Sequence, residues 1–266
     1  MRVVRSEGRN KMAKLVEALE KAIVKLRRKR VSRRLFERNG GEVRYGPFKG
    51  LKLSTGAHTS AGNLGAKTCG LYEDGVIAEI MSMGPYQDVV NFGAGDGYFS
   101  LGVLVAGVAE RSICFELNAT GREVVERNAK INGLSDRVLI FGAADDETGP
   151  TLAGVGFDPS RALVLCDIDG GEFPVLTEKL LSDLQGATLI VELHDKLIAG
   201  GESLREELIN RLPDGAQHRI LKSAPPDWRD IPEIEEMTDY DRALASTDGR
   251  KLLGEWLIVT YEDPGV

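Results

Sequence analysis

The stretch Val89-Val90-Asn91-Phe92-Gly93-Ala94-Gly95-Asp96-Gly97-Tyr98 decides the fold. A short apolar run enters a segment with glycine at every second position, and helical spacing follows. Glycine allows a tight turn there and lets a ligand approach the backbone without a Cβ in the way. Outward from this unit, apolar runs alternate with amphipathic stretches. The runs at 88–92, 112–116, 137–141, 162–167, 187–193, 217–222 and 256–261 read as strands. Helical spacing marks 98–109, 120–131, 173–184 and 203–212, with capping boxes at Thr120/Glu123 and Ser203/Glu206 and a terminating glycine at Gly133. Continuous apolar strands between such helices predict a parallel sheet covered on both faces. The expected fold is therefore a Rossmann-like, doubly wound α/β domain with seven strands.

The rest of the chain frames that domain. Met12, Leu15, Val16, Leu19, Ala22, Ile23 and Leu26 recur at helical spacing, which predicts an amphipathic helix from residue 12 to about 36, ended by Asn39-Gly40-Gly41. A hairpin is expected over 45–53 and a loop over 54–70. The predicted organisation is a basic N-terminal helix (1–42), a hairpin and loop (43–87) and the core domain (88–266), with 223–254 as a substrate-side insertion. Residues 1–52 carry 17 Lys and Arg against 5 Asp and Glu, whereas the remainder carries 17 against 36. The basic excess, concentrated in KLRRKRVSRRLFER (25–38), reads first as a solvated face packing on acidic surface of its own or a neighbouring chain. Phosphates or an acidic membrane surface are the alternatives. Three well-separated cysteines lack the spacing of a disulfide framework or zinc site and are expected to be buried thiols of a cytoplasmic protein. No apolar stretch is long enough to span a membrane, and no export signal is evident.

The glycine loop gains force from acids at fixed distances. Glu116 ends the next predicted strand, where a carboxylate can accept hydrogen bonds from both hydroxyls of a ribose. Asp145, in Gly142-Ala143-Ala144-Asp145, follows the third strand, placed to accept from an adenine amino group. A nicotinamide site shares this layout, but its phosphate loop needs Gly-x-Gly-x-x-Gly. Here the third glycine comes one place early, which fits a nucleoside cofactor without phosphate, S-adenosylmethionine. The candidate cofactor residues are Asn91, Gly93, Ala94, Gly95, Gly97, Tyr98, Glu116, Leu117, Ala144 and Asp145.

The segments NFGAGDGYFSL (91–101), 114–132 and LCDIDGGEFPVL (165–176), with YGPFKGLKL (45–53) and Gly70-Leu71-Tyr72-Glu73 ahead of them, resemble the FkbM-type family of class I S-adenosylmethionine-dependent methyltransferases. The resemblance covers about residues 43–195. It departs from the family pattern at Asn91 (commonly Asp) and Leu117 (commonly Pro). At Cys166-Asp167-Ile168-Asp169-Gly170, a lysine is lost and a Glu is shortened. The resemblance implies methyl transfer, usually to a hydroxyl of a sugar or natural product.

A hydroxyl nucleophile needs a base or a metal to lose its proton. Ligands of parallel sheets bind beyond the carboxyl ends of the strands, where Asp167, Asp169, Glu192, His194 and Asp195 all fall. The candidate catalytic residues are Asp167, Asp169 and His194, which with Glu192 could instead hold a divalent metal ion. Glu172 and Asp195 read as helix-start and loop carboxylates, His58 as solvated loop and His218 as structural. Trp228 and Tyr240 are candidates to line an acceptor pocket. Two rival readings remain: a nucleic-acid methyltransferase using the basic helix, and a non-catalytic cofactor-binding assembly protein. Against the first, enzymes methylating base amino groups carry Asn/Asp-Pro-Pro-Tyr/Phe where this chain has Asp167-Ile168-Asp169-Gly170. The N-terminal helix is expected to be dispensable for cofactor binding and to serve docking or homo-oligomerisation.

Overall fold

The computed structural model describes residues 2–55, 61–246 and 252–261. Its strands are β1 (Tyr86–Phe92), β2 (Ala109–Phe115), β3 (Val138–Phe141), β4 (Ala162–Cys166), β5 (Thr188–Glu192), β6 (Ala216–Lys222) and β7 (Glu255–Tyr261). They form one sheet in the order β3-β2-β1-β4-β5-β7-β6. Neighbours from β3 to β5 are parallel, and β7 runs antiparallel between β5 and β6. Strand order reverses between β1 and β4, the switch point at which open α/β sheets bind ligands.

The helices are α1 (Arg2–Arg38), α2 (Leu64–Thr68), α3 (Asp74–Met83), α4 (Tyr98–Val105), α5 (Ala119–Ile131), α6 (Thr148–Gly154), α7 (Glu172–Val175), α8 (Glu178–Asp183), α9 (Gly201–Asn210), α10 (Pro232–Glu235) and α11 (Asp239–Ala245). Because side chains alternate across a strand, Val89 and Val90 enter different cores. Val89, Leu101, Ile190 and Ile258 share one cluster; Val90, Phe92, Val164 and Val191 share the other. Both faces of the sheet are therefore covered, which is why its central strands are apolar throughout. Asp88, fully buried on β1, accepts a two-pronged bond from Arg111 on β2 at 2.7 and 2.8 Å, so a charge sits inside the sheet without an unpaired partner. A third cluster joins Val31 and Leu35 of α1 to Ala66 of α2, Cys69, and Ile231 and Ile234 around α10. All three cysteines are buried and free, and burial pushes the Cys69 thiol up to about 12.

Several local expectations are corrected. The hairpin over 45–53 is a turn-rich loop closed by one antiparallel bridge, Glu42 to Lys52. The loop over 54–70 contains α2, and the helix over 173–184 is two helices. Leu176 leaves helical geometry (ψ 68°), and Thr177 restarts it, its side chain accepting from Leu180 N–H at 3.2 Å. Neither capping box forms. Helix α5 starts at Ala119, because the Asn118 N–H already donates to Glu116 and turns the chain early. Helix α9 starts at Gly201 after a left-handed Gly200, and Ser203 donates back to the Gly200 carbonyl. Trp228 and Tyr240, expected to line an acceptor pocket, do not line the cavity beyond the ends of β4 and β5. Arg242 lies 4.6 Å over the Trp228 ring and Arg27 lies 4.4 Å over the Tyr240 ring, because residues 223–246 fold back onto α1. His218 is exposed on β6, and His58 lies outside the described residues. Among the described residues no helix is long and apolar enough to cross a membrane.

Candidate functional site

At the end of β1 the chain turns through Gly93, Gly95 and Gly97, all at positive φ (85°, 57° and 79°). Gly93 is there because β1 and β4 touch. A Cβ at that position would stand 2.0 Å from the Asp167 carbonyl oxygen, and Asp167 N–H donates to Phe92 O at 3.0 Å. Gly95 differs: a Cβ would meet nothing nearer than Gly93 O at 4.0 Å, so the loop is open on that side. Glu116 faces this loop from the end of β2. One carboxylate oxygen accepts from Gly95 N–H and the other from Asn118 N–H, both at 2.9 Å. Each oxygen keeps a lone pair, and Glu116 is 8% exposed, so a rigid, nearly dry acceptor pair stands beside the open glycine. The signal missed in the sequence is Gly121, where a Cβ would stand 2.7 Å from Glu116 Cγ; helix α5 needs glycine to let that carboxylate in.

The other sequence-predicted cofactor residues divide. Asn91 is buried, donates to Ser100 Oγ at 2.9 Å, and leaves its Oδ1 without a partner among the described residues. The Tyr98 ring is fully buried against Phe48 and Tyr72, with centroids 5.3 and 5.6 Å away, so only its main chain remains for the loop. Ala94 is buried in the core and Ala144 is half-buried, whereas Leu117 and Asp145 are exposed. Asp145 accepts from Glu147 N–H at 2.9 Å.

A residue pair that sequence reasoning missed locks the loop. Asp96, 3% exposed between Gly95 and Gly97, accepts from both sides: Lys67 Nζ at 2.7 and 2.8 Å, and Tyr98 N–H at 3.1 Å. Lys67 comes from α2 and lies 4.9 Å over the Tyr72 ring. Asn128 of α5 donates to the Asp96 carbonyl at 2.8 Å. No periodicity marks Lys67, because its partner is distant in sequence.

Beyond the ends of β4 and β5 lies a cavity of about 410 Å³. Asp167, Asp169 and Glu192 give it an acidic wall around His194, and Lys196 pairs there with Glu255 at 2.7 Å. Asn63 and Tyr72 complete the lining, and Leu197, Leu252 and Leu253 form an exposed apolar rim. Asp167, Glu192 and His194 bring one donor atom each within 4.8 Å of one another. Asp169, at φ 51°, is exposed at the edge, its carboxylate 3.8 Å from His194 Nε2. The sequence underrated Glu172, which is fully buried beneath His194. It accepts from the His194 main-chain N–H at 2.8 Å and contacts His194 Nδ1 at 3.2 Å. Nε2 faces the Asp169 and Glu192 carboxylates at 3.8 and 3.9 Å, and in the neutral ring with Nδ1–H donated to Glu172 it carries the lone pair. Burial alone lowers the His194 pKa, but Glu172, Asp167 and Asp169 outweigh it and the net shift is upward. Asp195 is structural: it and Glu255 accept from Arg205 at 2.7 and 2.6 Å, tying the end of β5 to β7.

No protein-family model matches the chain, and no curated protein matches it. Solved structures do. Cofactor-bound Rv0187 from MTB superposes with a TM-score of 0.50 at 17% identity, over 71% of this chain and 80% of that one. An O-methyltransferase from Bacillus cereus, in complex with SAH, gives a TM-score of 0.50 at 11% identity, over 88% and 91%. The m1A22 tRNA methyltransferase TrmK of B. subtilis gives 0.45 at 11%, over 70% and 65%. The first two likenesses show that this chain has the Rossmann-like methyltransferase fold, with its seven-stranded mixed sheet.

Proposed function

We propose that the chain is an S-adenosylmethionine-dependent methyltransferase of the FkbM type, acting in the cytoplasm on a hydroxyl of a sugar or other small acceptor. The observation that carries this reading is the Glu116 carboxylate, pinned beside the open Gly95 and one loop away from a polar cavity. These residues fit the cofactor. The two free lone pairs of Glu116 suit a vicinal diol, and Gly93, Gly95 and Gly97 keep the loop low enough for a nucleoside to lie on it. Asn91 and the main chain of Ala94, Tyr98, Leu117 and Ala144, with Asp145, complete the expected contacts. When bound, S-adenosylmethionine supplies an electrophilic methyl group, and no phosphate site is required.

The protein's own part is to seat the acceptor and take its proton. His194, oriented through Nδ1 by Glu172, offers Nε2 as the base, while Asp167 and Glu192 hold the hydroxyl and stabilise the imidazolium that forms. The two carboxylates and one imidazole also match the donor set of a hard divalent cation, which would acidify the hydroxyl in place of the base. The acidic wall favours a small neutral acceptor over a polyphosphate backbone, and 410 Å³ is ample for a monosaccharide.

Calorimetry with S-adenosylhomocysteine tests the reading. Wild-type protein should bind, and Glu116→Ala should lose about 2–3 kcal/mol, roughly 30- to 150-fold in affinity. Binding of NAD with no response to S-adenosylhomocysteine would sink it.

A further inference from the structure

We infer that the outer half of α1 is a docking surface for anionic lipid bilayers. Met12, Leu15, Val16, Leu19, Ile23 and Leu26 are all exposed, from 47% to 68%, on a helix that has covered apolar residues elsewhere. At ~100° per residue they fall within an arc of roughly 100°, over about 21 Å of helix. The helix docks on the body through a different face. Val31, Ser32 and Leu35 are buried at 1–2% exposure, and Ser32 Oγ accepts from Gly65 N–H at 2.8 Å. Ser32 and Leu35 lie roughly opposite the stripe, and Val31 lies to one side of it. The body therefore leaves the stripe open by construction.

What continues the stripe identifies its occupant. From Leu26, the positions four, seven and eight residues on are Arg30, Arg33 and Arg34, all exposed. The same face thus changes from apolar to cationic along its length. Residues 12–34 hold nine Lys and Arg and two Glu. Lys14, Lys25, Lys29, Arg30 and Arg34 form no ion pair among the described residues. An amphipathic helix with a lysine- and arginine-rich surround buries its apolar face at the headgroup boundary and sets its cations against anionic headgroups. A second copy of the helix would satisfy the stripe but bring two strongly cationic surfaces together. A nucleic acid would satisfy the charge but leave the leucines and isoleucine in water. Of these three occupants the anionic bilayer satisfies both, and this conclusion stands apart from the methyl-transfer reading.

The test is co-sedimentation of the full chain with phosphatidylcholine vesicles, with and without roughly one-third phosphatidylglycerol. The expected result is at least about tenfold tighter binding to the anionic vesicles, weakened by salt. A triple Leu15→Glu, Leu19→Glu, Ile23→Glu variant should bind about tenfold or more weakly, as should Arg30→Gln with Arg34→Gln. All five positions are exposed, and unchanged thermal unfolding of each variant confirms that folding is intact. Equal binding to both vesicle types overturns the inference, as does undiminished binding by the stripe variant. So does a solution dimer that the stripe substitutions dissociate and that ignores vesicles, or an RNA affinity that survives them.

Discussion

His194 shows what a single residue gains from its neighbours. A histidine after a strand is ambiguous in sequence, and only the buried Glu172 beneath it fixes its ring and leaves Nε2 open toward Asp169 and Glu192. If that nitrogen takes the acceptor proton, His194→Ala should lower turnover by about 10²–10⁴ without changing cofactor affinity. If Asp167, Glu192 and His194 hold a cation, chelation should abolish turnover and added Mg²⁺ or Mn²⁺ restore it. Full activity in His194→Ala that is also indifferent to chelator removes both roles. The place of Glu116 beside the glycine loop was legible in the sequence because the pattern is local: a glycine loop, a strand, an acid at the next strand's end. Glu172 was not, because helix-start carboxylates look alike until the tertiary fold places one under a ring.

At the scale of elements, α2 and the glycine loop form a unit that no local pattern announces. Helix α2 is five residues long and sits in a stretch rich in small residues, yet it delivers Lys67 to Asp96 at the centre of the loop. Both side chains are almost wholly buried, 11% and 3% exposed. Removing one member of such a pair leaves an uncompensated charge, a loss of about 3–5 kcal/mol. Lys67→Met should therefore loosen the loop and weaken S-adenosylhomocysteine binding by at least about tenfold. Lys67→Arg, which keeps the charge, should recover most of that affinity. Unchanged binding in Lys67→Met, measured by calorimetry on folded protein, would show that the loop holds its shape without α2. The missed capping boxes carry the same lesson. Thr120 and Ser203 had the right spacing, but Glu116 and Gly200 start those helices earlier.

For the whole molecule, the doubly wound sheet was legible because its central strands are apolar on both faces, the pattern of a helix-covered sheet. The equally apolar β7 nevertheless runs antiparallel, and the edge strand β6 is largely exposed. What surrounds the sheet was not legible in this way. Of the segment 223–254, expected beside the acceptor, α10 and α11 pack on α1, with Arg27 bound to Asp241 and Arg38 to Glu236, each at 2.8 Å, while Leu252, Leu253 and Gly254 reach the cavity. The last turns of α1 also donate from Arg28 to Asn63 in the cavity wall and support α2 through Ser32. The helix is therefore two things in sequence: a free outer part and a keystone. Deleting residues 1–26 removes only exposed side chains among those described, so cofactor affinity should stay within about threefold. Deleting 1–38 removes Val31 and Leu35 from a buried cluster, at roughly 2–5 kcal/mol each, and withdraws the support beneath Lys67. That truncation should unfold at least about 10 °C lower and bind S-adenosylhomocysteine at least about tenfold more weakly. Thermal melts and calorimetry on the two truncations side by side separate the parts. Identical behaviour of both would mean that α1 is an appendage along its whole length, and that the glycine loop is held by the sheet alone.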